Sequence, residues 1–137
     1  MRAITLWQPW ATWVQRGWKT IEARRHTRFA TLKGQRIAIH AARRVDEHAW
    51  RIAGPWLPRV AGDAWRTAPN ILGAVICTVY VADARWLTAG DARAALCPCS
   101  RVGMCPHLFG LVFEDVIPMV PVYCPGHQGA WEWEAPQ

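Results

Sequence analysis

The stretch from Leu6 to Arg24 constrains the fold most. It reads Leu6-Trp7-Gln8-Pro9-Trp10-Ala11-Thr12-Trp13 and then Gly17-Trp18-Lys19-Thr20-Ile21-Glu22-Ala23-Arg24. Residues 3–7 read as a short strand. Pro9 suits the first position of a helix, where a missing N–H costs nothing. Trp10, Trp13, Val14 and Gly17 follow helical spacing and give one apolar face. Gly17 suits the residue that ends a helix. Residues 19–25 alternate as a strand, with Ile21 and Ala23 on one face and Thr20, Glu22 and Arg24 on the other. A tryptophan-rich helix is thus tied between two strands at the start of the chain.

Further along, residues 26–33 read as a polar loop. Gln35 to Ala41 is another strand, with Ile37 and Ile39 inward and Arg36, Ala38 and His40 on the opposite face. Residues 43–53 form an amphipathic helix through Val45, Ala49, Ile52 and Ala53, stopped by Gly54-Pro55. Residues 55–70 hold turns and one short helix. Residues 71–82 are apolar on both faces, as in a strand covered on both sides. A loop rich in Cys and Pro spans 90–107. Leu108 to Val116 is a strand, broken by Pro118 and Pro121, and Gly126 and Gly129 frame a turn before Trp131 and Trp133. No regular βαβ unit joins these strands. The expected architecture is α+β: a small, mostly antiparallel β-barrel with two or three helices packed on it, in a single domain over 1–137.

A chain of 137 residues is long enough to bury a core without disulfide staples. Its 52% hydrophobic and 19% charged content excludes a disordered chain. No apolar run approaches the length needed to span a bilayer. Met1-Arg2-Ala3-Ile4-Thr5 has no signal-peptide core, so a cytoplasmic location is expected.

The charge is unevenly distributed. Between Arg16 and Arg44, nine basic residues face one acid, Glu22, which leaves +8 there, whereas residues 45–137 carry −3. Such asymmetry favours an anionic partner on one face. A solvated arginine-rich surface is the alternative, since fourteen of the sixteen basic residues are Arg.

The opening pair of segments, together with Gly34-x-x-Ile37-Ala38-Ile39-His40-Ala41, Leu111-Val112-Phe113-Glu114-Asp115-Val116 and Gly126-x-Gln128-Gly129-x-Trp131, resembles the ASCH domain family of the PUA-like superfamily. The resemblance covers most of the chain. It implies a PUA-like barrel with a cleft between barrel and first helix. It also implies one of the roles linked to members: RNA binding, ribonuclease activity, transcription coactivation, or hydrolysis of an acylated cytidine. The motif of that amidohydrolase branch resembles Gly-x-Lys-Thr-x-Thr-x-Arg. Lys19, Thr20 and Arg24 match it, but Glu22 stands where the branch has a threonine. If that threonine is the nucleophile, a carboxylate has to act instead as base or proton shuttle.

These motifs nominate Trp7, Gln8, Trp10, Lys19, Glu22, Arg24, Arg25, Arg28, Arg36, His40, Gln128 and Trp131 as nucleic-acid or nucleoside contacts. Lys19, Glu22 and His40 would be catalytic if the chain is an enzyme, a ribonuclease or nucleoside amidohydrolase. Glu22 could accept from a base edge, activate a water, or simply pair with Arg24 or Lys19. Lys19 could bind phosphate or polarise a carbonyl, or be an exposed strand-start lysine. Lys19 meets Glu22 only if the chain turns between residues 17 and 20. His40 could contact a ligand or shuttle a proton, or be structural. Trp7, Trp10 and Trp131 are the candidates to stack a base, whereas Trp13, Trp50, Trp65 and Trp86 read as packing.

Cys97, Cys99, Cys105 and His107 match the donor set of a tetrahedral structural zinc, with Cys124 and His127 as an alternative pair. Free thiols are the competing reading. Cys77 reads as a core residue. The expected partner is RNA or single-stranded nucleic acid, or a modified nucleoside. A tryptophan-rich face docking another protein is a further possibility, and no membrane is expected.

Overall fold

The structure is a computed structural model and describes residues 1–97 and 108–137. In chain order the elements are β1 (Arg2–Gln8), α1 (Trp10–Gln15), β2 (Ile21–Arg24), β3 (Arg36–Val45), α2 (Ala49–Ala53), α3 (Leu57–Ala61), β4 (Ala74–Trp86), α4 (Ala92–Ala95), β5 (Phe109–Tyr123) and β6 (Trp131–Glu132). The strands form one sheet in the order β2-β5-β4-β3-β1-β6. The β1–β3 pair is parallel and the other pairings are antiparallel. The α+β class and the mostly antiparallel sheet are therefore present. Among the described residues the sheet does not close into a barrel: β2 and β6 stand at the two ends of the strand order. No helix among the described residues is long and apolar enough to cross a membrane.

Alternation places the main core. Ile4 and Leu6 of β1 and Ile37, Ile39 and Ala41 of β3 turn one face inward, where Phe29, Leu32, Ile76 and Val79 meet them. Residues Ala74 to Cys77 are buried without interruption, as expected of a strand covered on both sides. Burial pushes the Cys77 thiol up to about 12, so it is an inert core group.

A second core gathers the helices. Trp13, Ala49, Ala53, Leu57 and Leu96 are buried together, with Trp10, Trp18, Trp50, Trp56 and Trp65 packed around them. Gln8 sets the start of α1, where Pro9 occupies the cap position without a side-chain hydrogen bond. The Gln8 side chain accepts from the Thr12 N–H at 2.9 Å and donates to the Ile71 carbonyl at 2.7 Å. It thereby satisfies one orphan donor of the helix terminus.

Among the described residues four α-helices stand where two or three were expected, α4 (Ala92–Ala95) falling in the stretch 90–107 read as a loop, and three further expectations need correction. The helix over 43–53 is confined to Ala49–Ala53, because β3 continues to Val45, paired with Gln8. The Asp46 N–H then donates to the Gln8 carbonyl at 2.7 Å, so long-range pairing overrides the helical spacing. The polar loop of 26–33 contains a 3-10 turn, Arg28–Leu32, that buries Phe29 and Leu32. Pro118 and Pro121 do not end β5, which runs on to Tyr123. Beyond Val112 that strand pairs with β4 alone, and prolines are tolerated on an edge where the lost donor would face solvent.

Candidate functional site

A cavity with a volume of about 940 Å³ opens on one side of the sheet, among strand ends and loops. Its wall is drawn from β1 (Arg2, Thr5, Trp7), β3 (His40, Ala42, Arg43), the end of β2 and the segment after it (Arg24 to Thr31), Gly73 and the loop 124–130. Arg24 belongs to one end of the strand order and Arg2 to a strand near the other. Their presence in one cavity means that the sheet curls around it.

The wall carries four arginines (Arg2, Arg24, Arg28, Arg43) and three histidines (His26, His40, His127), and none of the ten acids of the chain. Several acids neutralise arginines elsewhere. Asp91 takes both ends of the Arg85 guanidinium at 2.8 and 2.9 Å, and Asp115 pairs with Arg36. Arg28 and Arg43 have no acidic partner among the described residues. A concave wall of one sign focuses the field and attracts anions.

His40 forms part of this wall and is 2% exposed. Its Nε2 lies 2.9 Å from the Cys124 carbonyl. A carbonyl can only accept, so Nε2 carries the proton. Nδ1 is then a bare acceptor, and it is buried without a partner. Gly126 is pressed onto it: a Cβ there would stand 2.5 Å from both Nδ1 and Cε1 and 2.9 Å from Thr5 Oγ1. The Trp131 ring completes the enclosure, set nearly perpendicular to the His40 ring at 5.7 Å between centres and donating its indole N–H to Thr5 Oγ1 at 3.2 Å.

Desolvation, with smaller contributions from His127 and Arg43, holds His40 below the ordinary imidazole value of 6.5, against a raising effect of the Cys124 hydrogen bond. A depressed folded-state value means that the unfolded chain binds the proton more readily. The contribution of His40 to stability is therefore complete above pH 6.5 and is lost as pH falls below it. His40→Gln can still donate to Cys124 but does not titrate. It is expected to flatten the loss of stability between pH 7 and pH 5, measured as urea midpoints across that range. An equal decline in both proteins would remove His40 from the explanation.

Lys19, Glu22 and Trp10 come together, but not at this cavity. Gly17, at φ 76°, turns the chain so that the N–H groups of Trp18 and Lys19 both donate to the Trp13 carbonyl. That turn brings Lys19 Nζ to 3.8 Å from Glu22. The ammonium also donates to the Ala95 carbonyl at 2.6 Å and lies 4.9 Å from the Trp10 ring centre. Lys19 is 2% and Glu22 8% exposed. Trp10 is tied by its indole N–H to Asp46 at 2.8 Å. The other Glu22 oxygen stands 3.8 Å from Arg24, as their shared strand face requires. Glu22 thus links an interior lysine to a cavity arginine. His40 lines the cavity, whereas Lys19, Glu22 and Trp10 do not.

Of the other nominated residues, Trp7, Arg24, Arg28 and Gln128 line the cavity. Trp131 backs it, between His40 and His127. Arg25 is exposed and outside the lining, Gln8 is committed to α1, and Arg36 is held by Thr78 and Asp115. Arg2, Thr5, His26, Phe29, Arg43, Gly126 and His127 also line the cavity and are not among the nominated contacts. For Thr5 a signal was there, since alternation puts it on the face of Trp7. His127 lies inside the closing turn motif. His26 carried no signal beyond its arginine neighbours. Of the zinc candidates, Cys99, Cys105 and His107 lie outside the described residues and Cys97 is half-buried. Among the described residues no three potential ligands cluster around one point.

Similar folds occur among solved structures. The crystal structure of an ASCH protein from Zymomonas mobilis superposes with a TM-score of 0.57 at 18% identity, covering 89% of this chain and 72% of that one. A single-substitution variant of the same protein gives 0.51 at 14% identity, covering 89% and 74%. No protein-family model matches the sequence, and no curated protein does. The chain therefore has an ASCH-like fold, in agreement with the resemblance carried by its motifs.

Proposed function

We propose that this chain is a nucleic-acid-binding domain that takes RNA or single-stranded nucleic acid in the Arg- and His-lined cavity. The observation that carries the reading is the acid-free wall: four arginines and three histidines face one cavity. Neutralising backbone phosphates releases counterions and drives such binding. Trp7 at the rim is 47% exposed, with the Arg44 guanidinium 5.4 Å from its ring. An exposed indole beside an arginine is a stacking platform for a base. The proposed ligand therefore lies over Thr5, His40 and Arg24 rather than over Trp10, Lys19 and Glu22. Hydrolysis has less support, because Glu22 and Lys19 are outside the cavity lining. Docking of a protein through tryptophans has less support too, because six of the ten tryptophans pack in the helical core.

The test is retention of mixed RNA and single-stranded DNA oligonucleotides at low and high salt, followed for cleavage products. Affinity is expected to fall steeply with salt. The double variant Arg28→Ala/Arg43→Ala is expected to reduce the slope of log K against log salt by about 2. Arg66→Ala, which removes an exposed arginine paired with Asp63, serves as the distant control. Salt-independent retention, or equal losses in the two variants, would refute the reading.

A further inference from the structure

We propose that Arg24, His26 and Arg28 form a discrete phosphate subsite at one end of the cavity, built on the ring of Phe29. The proposal rests on the nucleic-acid reading above and names the group that this part of the cavity holds. All four residues line the cavity. The Arg24 guanidinium lies over the Phe29 ring at 5.2 Å, and the His26 ring meets the same ring edge-on at 5.1 Å. The Phe29 ring is itself anchored, 5% exposed and part of the main core. The platform is therefore fixed before any ligand arrives, which lowers the cost of ordering the groups that bind.

The hydrogen bonding within the turn orients the donors. The Arg28 N–H donates to His26 Nδ1 at 3.2 Å. Nδ1 is thereby an acceptor in the neutral ring, and Nε2 carries the proton. The Arg24 side chain makes no hydrogen bond to an acceptor among the described residues, and its Nε is buried without one. Its one acidic neighbour among the described residues is Glu22 at 3.8 Å, a carboxylate shared with Lys19. Arg28 has no acid at all among the described residues. The Arg24 guanidinium and the His26 ring thus meet at one aromatic ring, Arg28 lines the cavity beside them, and a single carboxylate is divided between Arg24 and an interior lysine. Such a group is short of negative charge. Phosphate supplies that charge with several acceptor oxygens, and its geometry matches the guanidinium fork.

His26 also reports on this imbalance. Its titration is lowered by desolvation first, then by Arg28 and by Arg24. An anion bound among the three groups offsets the two arginine contributions, so His26 must take up its proton more readily in the complex. By linkage, phosphate then binds more tightly at lower pH.

The experiment follows the His26 Cε1–H resonance through a pH titration of the intact protein. It is run without ligand, with inorganic phosphate, with a nucleoside, with its 5′-monophosphate, and with a short oligonucleotide bearing or lacking a 5′-phosphate. An upward move of the His26 titration with every phosphorylated probe and none with the nucleoside is the expected result. A response to the oligonucleotide only when it carries the 5′-phosphate assigns the subsite to a terminal monoester. A response to both forms assigns it to internal diesters as well. Arg28→Ala changes an exposed side chain in a turn and is expected to weaken phosphate about tenfold, the loss of one charge-assisted contact. His26→Gln removes the reporter and one donor, and is expected to give a smaller loss, read from the other shifted resonances. Oligonucleotide retention with an unmoved His26 would overturn the subsite while leaving the nucleic-acid reading intact. An unchanged phosphate affinity in Arg28→Ala would do the same. No binding of any probe or oligonucleotide would overturn both.

Discussion

Replacing Lys19 by methionine is expected to destabilise the fold by about 3–5 kcal/mol, the range found when one partner of a buried ion pair is removed. The Lys19 side chain is 3% exposed and that of Glu22 is 11%, so bulk water screens neither. Three interactions vanish together: the hydrogen bond to the Ala95 carbonyl at 2.6 Å, the pairing with Glu22 and the contact with the Trp10 ring. The Ala95 carbonyl closes α4, where Lys19 acts as a C-terminal cap. Glu22 is left with Arg24 alone. Urea unfolding of Lys19→Met, Glu22→Gln and the double variant gives the coupling. The double variant is expected to be less destabilised than the sum of the single ones, because it leaves no lone buried charge. A loss below about 1 kcal/mol for Lys19→Met would mean that water reaches this pair. The interior role assigned to it would then have to be abandoned.

Trp13→Ala is expected to cost about 3–5 kcal/mol, as for other large-to-small changes in cores. Trp13 is 1% exposed. Trp10 meets its ring edge-on at 5.0 Å and Trp50 at 6.2 Å. Removing it opens a hole where α1 packs against α2 and α3, and these helices are 6, 5 and 5 residues long. Helices so short are held by tertiary packing rather than by their own propensity, so the hole cannot be refilled by a rigid neighbour sliding in. Trp7→Ala, on an indole 47% exposed, is the contrast: little change in stability, with a loss confined to nucleic-acid retention. Comparable unfolding midpoints for the two variants would contradict the division between packing and platform tryptophans.

Much of the local structure was legible in the residues. The period-two alternation of Ile37 and Ile39 against Ala38 and His40 reported the two faces of β3. Gly17 marked the turn that brings Lys19 toward Glu22, through the positive φ that glycine adopts freely. The apolar stretch of 71–82 reported a strand, which is covered on both sides over Ala74 to Cys77 but exposes Tyr80. The expectations that failed did so where a distant strand decided. Val45 is extended because Gln8 pairs with it, although its spacing with Ala49 and Ile52 suits a helix. Pro118 and Pro121 sit inside β5 because β4 is its one strand neighbour there among the described residues.

The candidate site divided along the same line. The sequence by itself determined most of the elements, the excess of arginine between Arg16 and Arg44, and the motifs that resemble the ASCH family. These depend on residues near one another in the chain, whose spacing is written directly in the order of side chains. Only the tertiary structure decided which charges meet. Arg24, His26 and Arg28 reach the same cavity as Thr5, His40 and the loop 124–130 because the sheet curls. Arg36 is drawn off to Asp115, and Lys19 is drawn beneath the tryptophans. A side chain's partners follow from strand order and sheet curvature, and these arise from contacts made across the whole length of the chain.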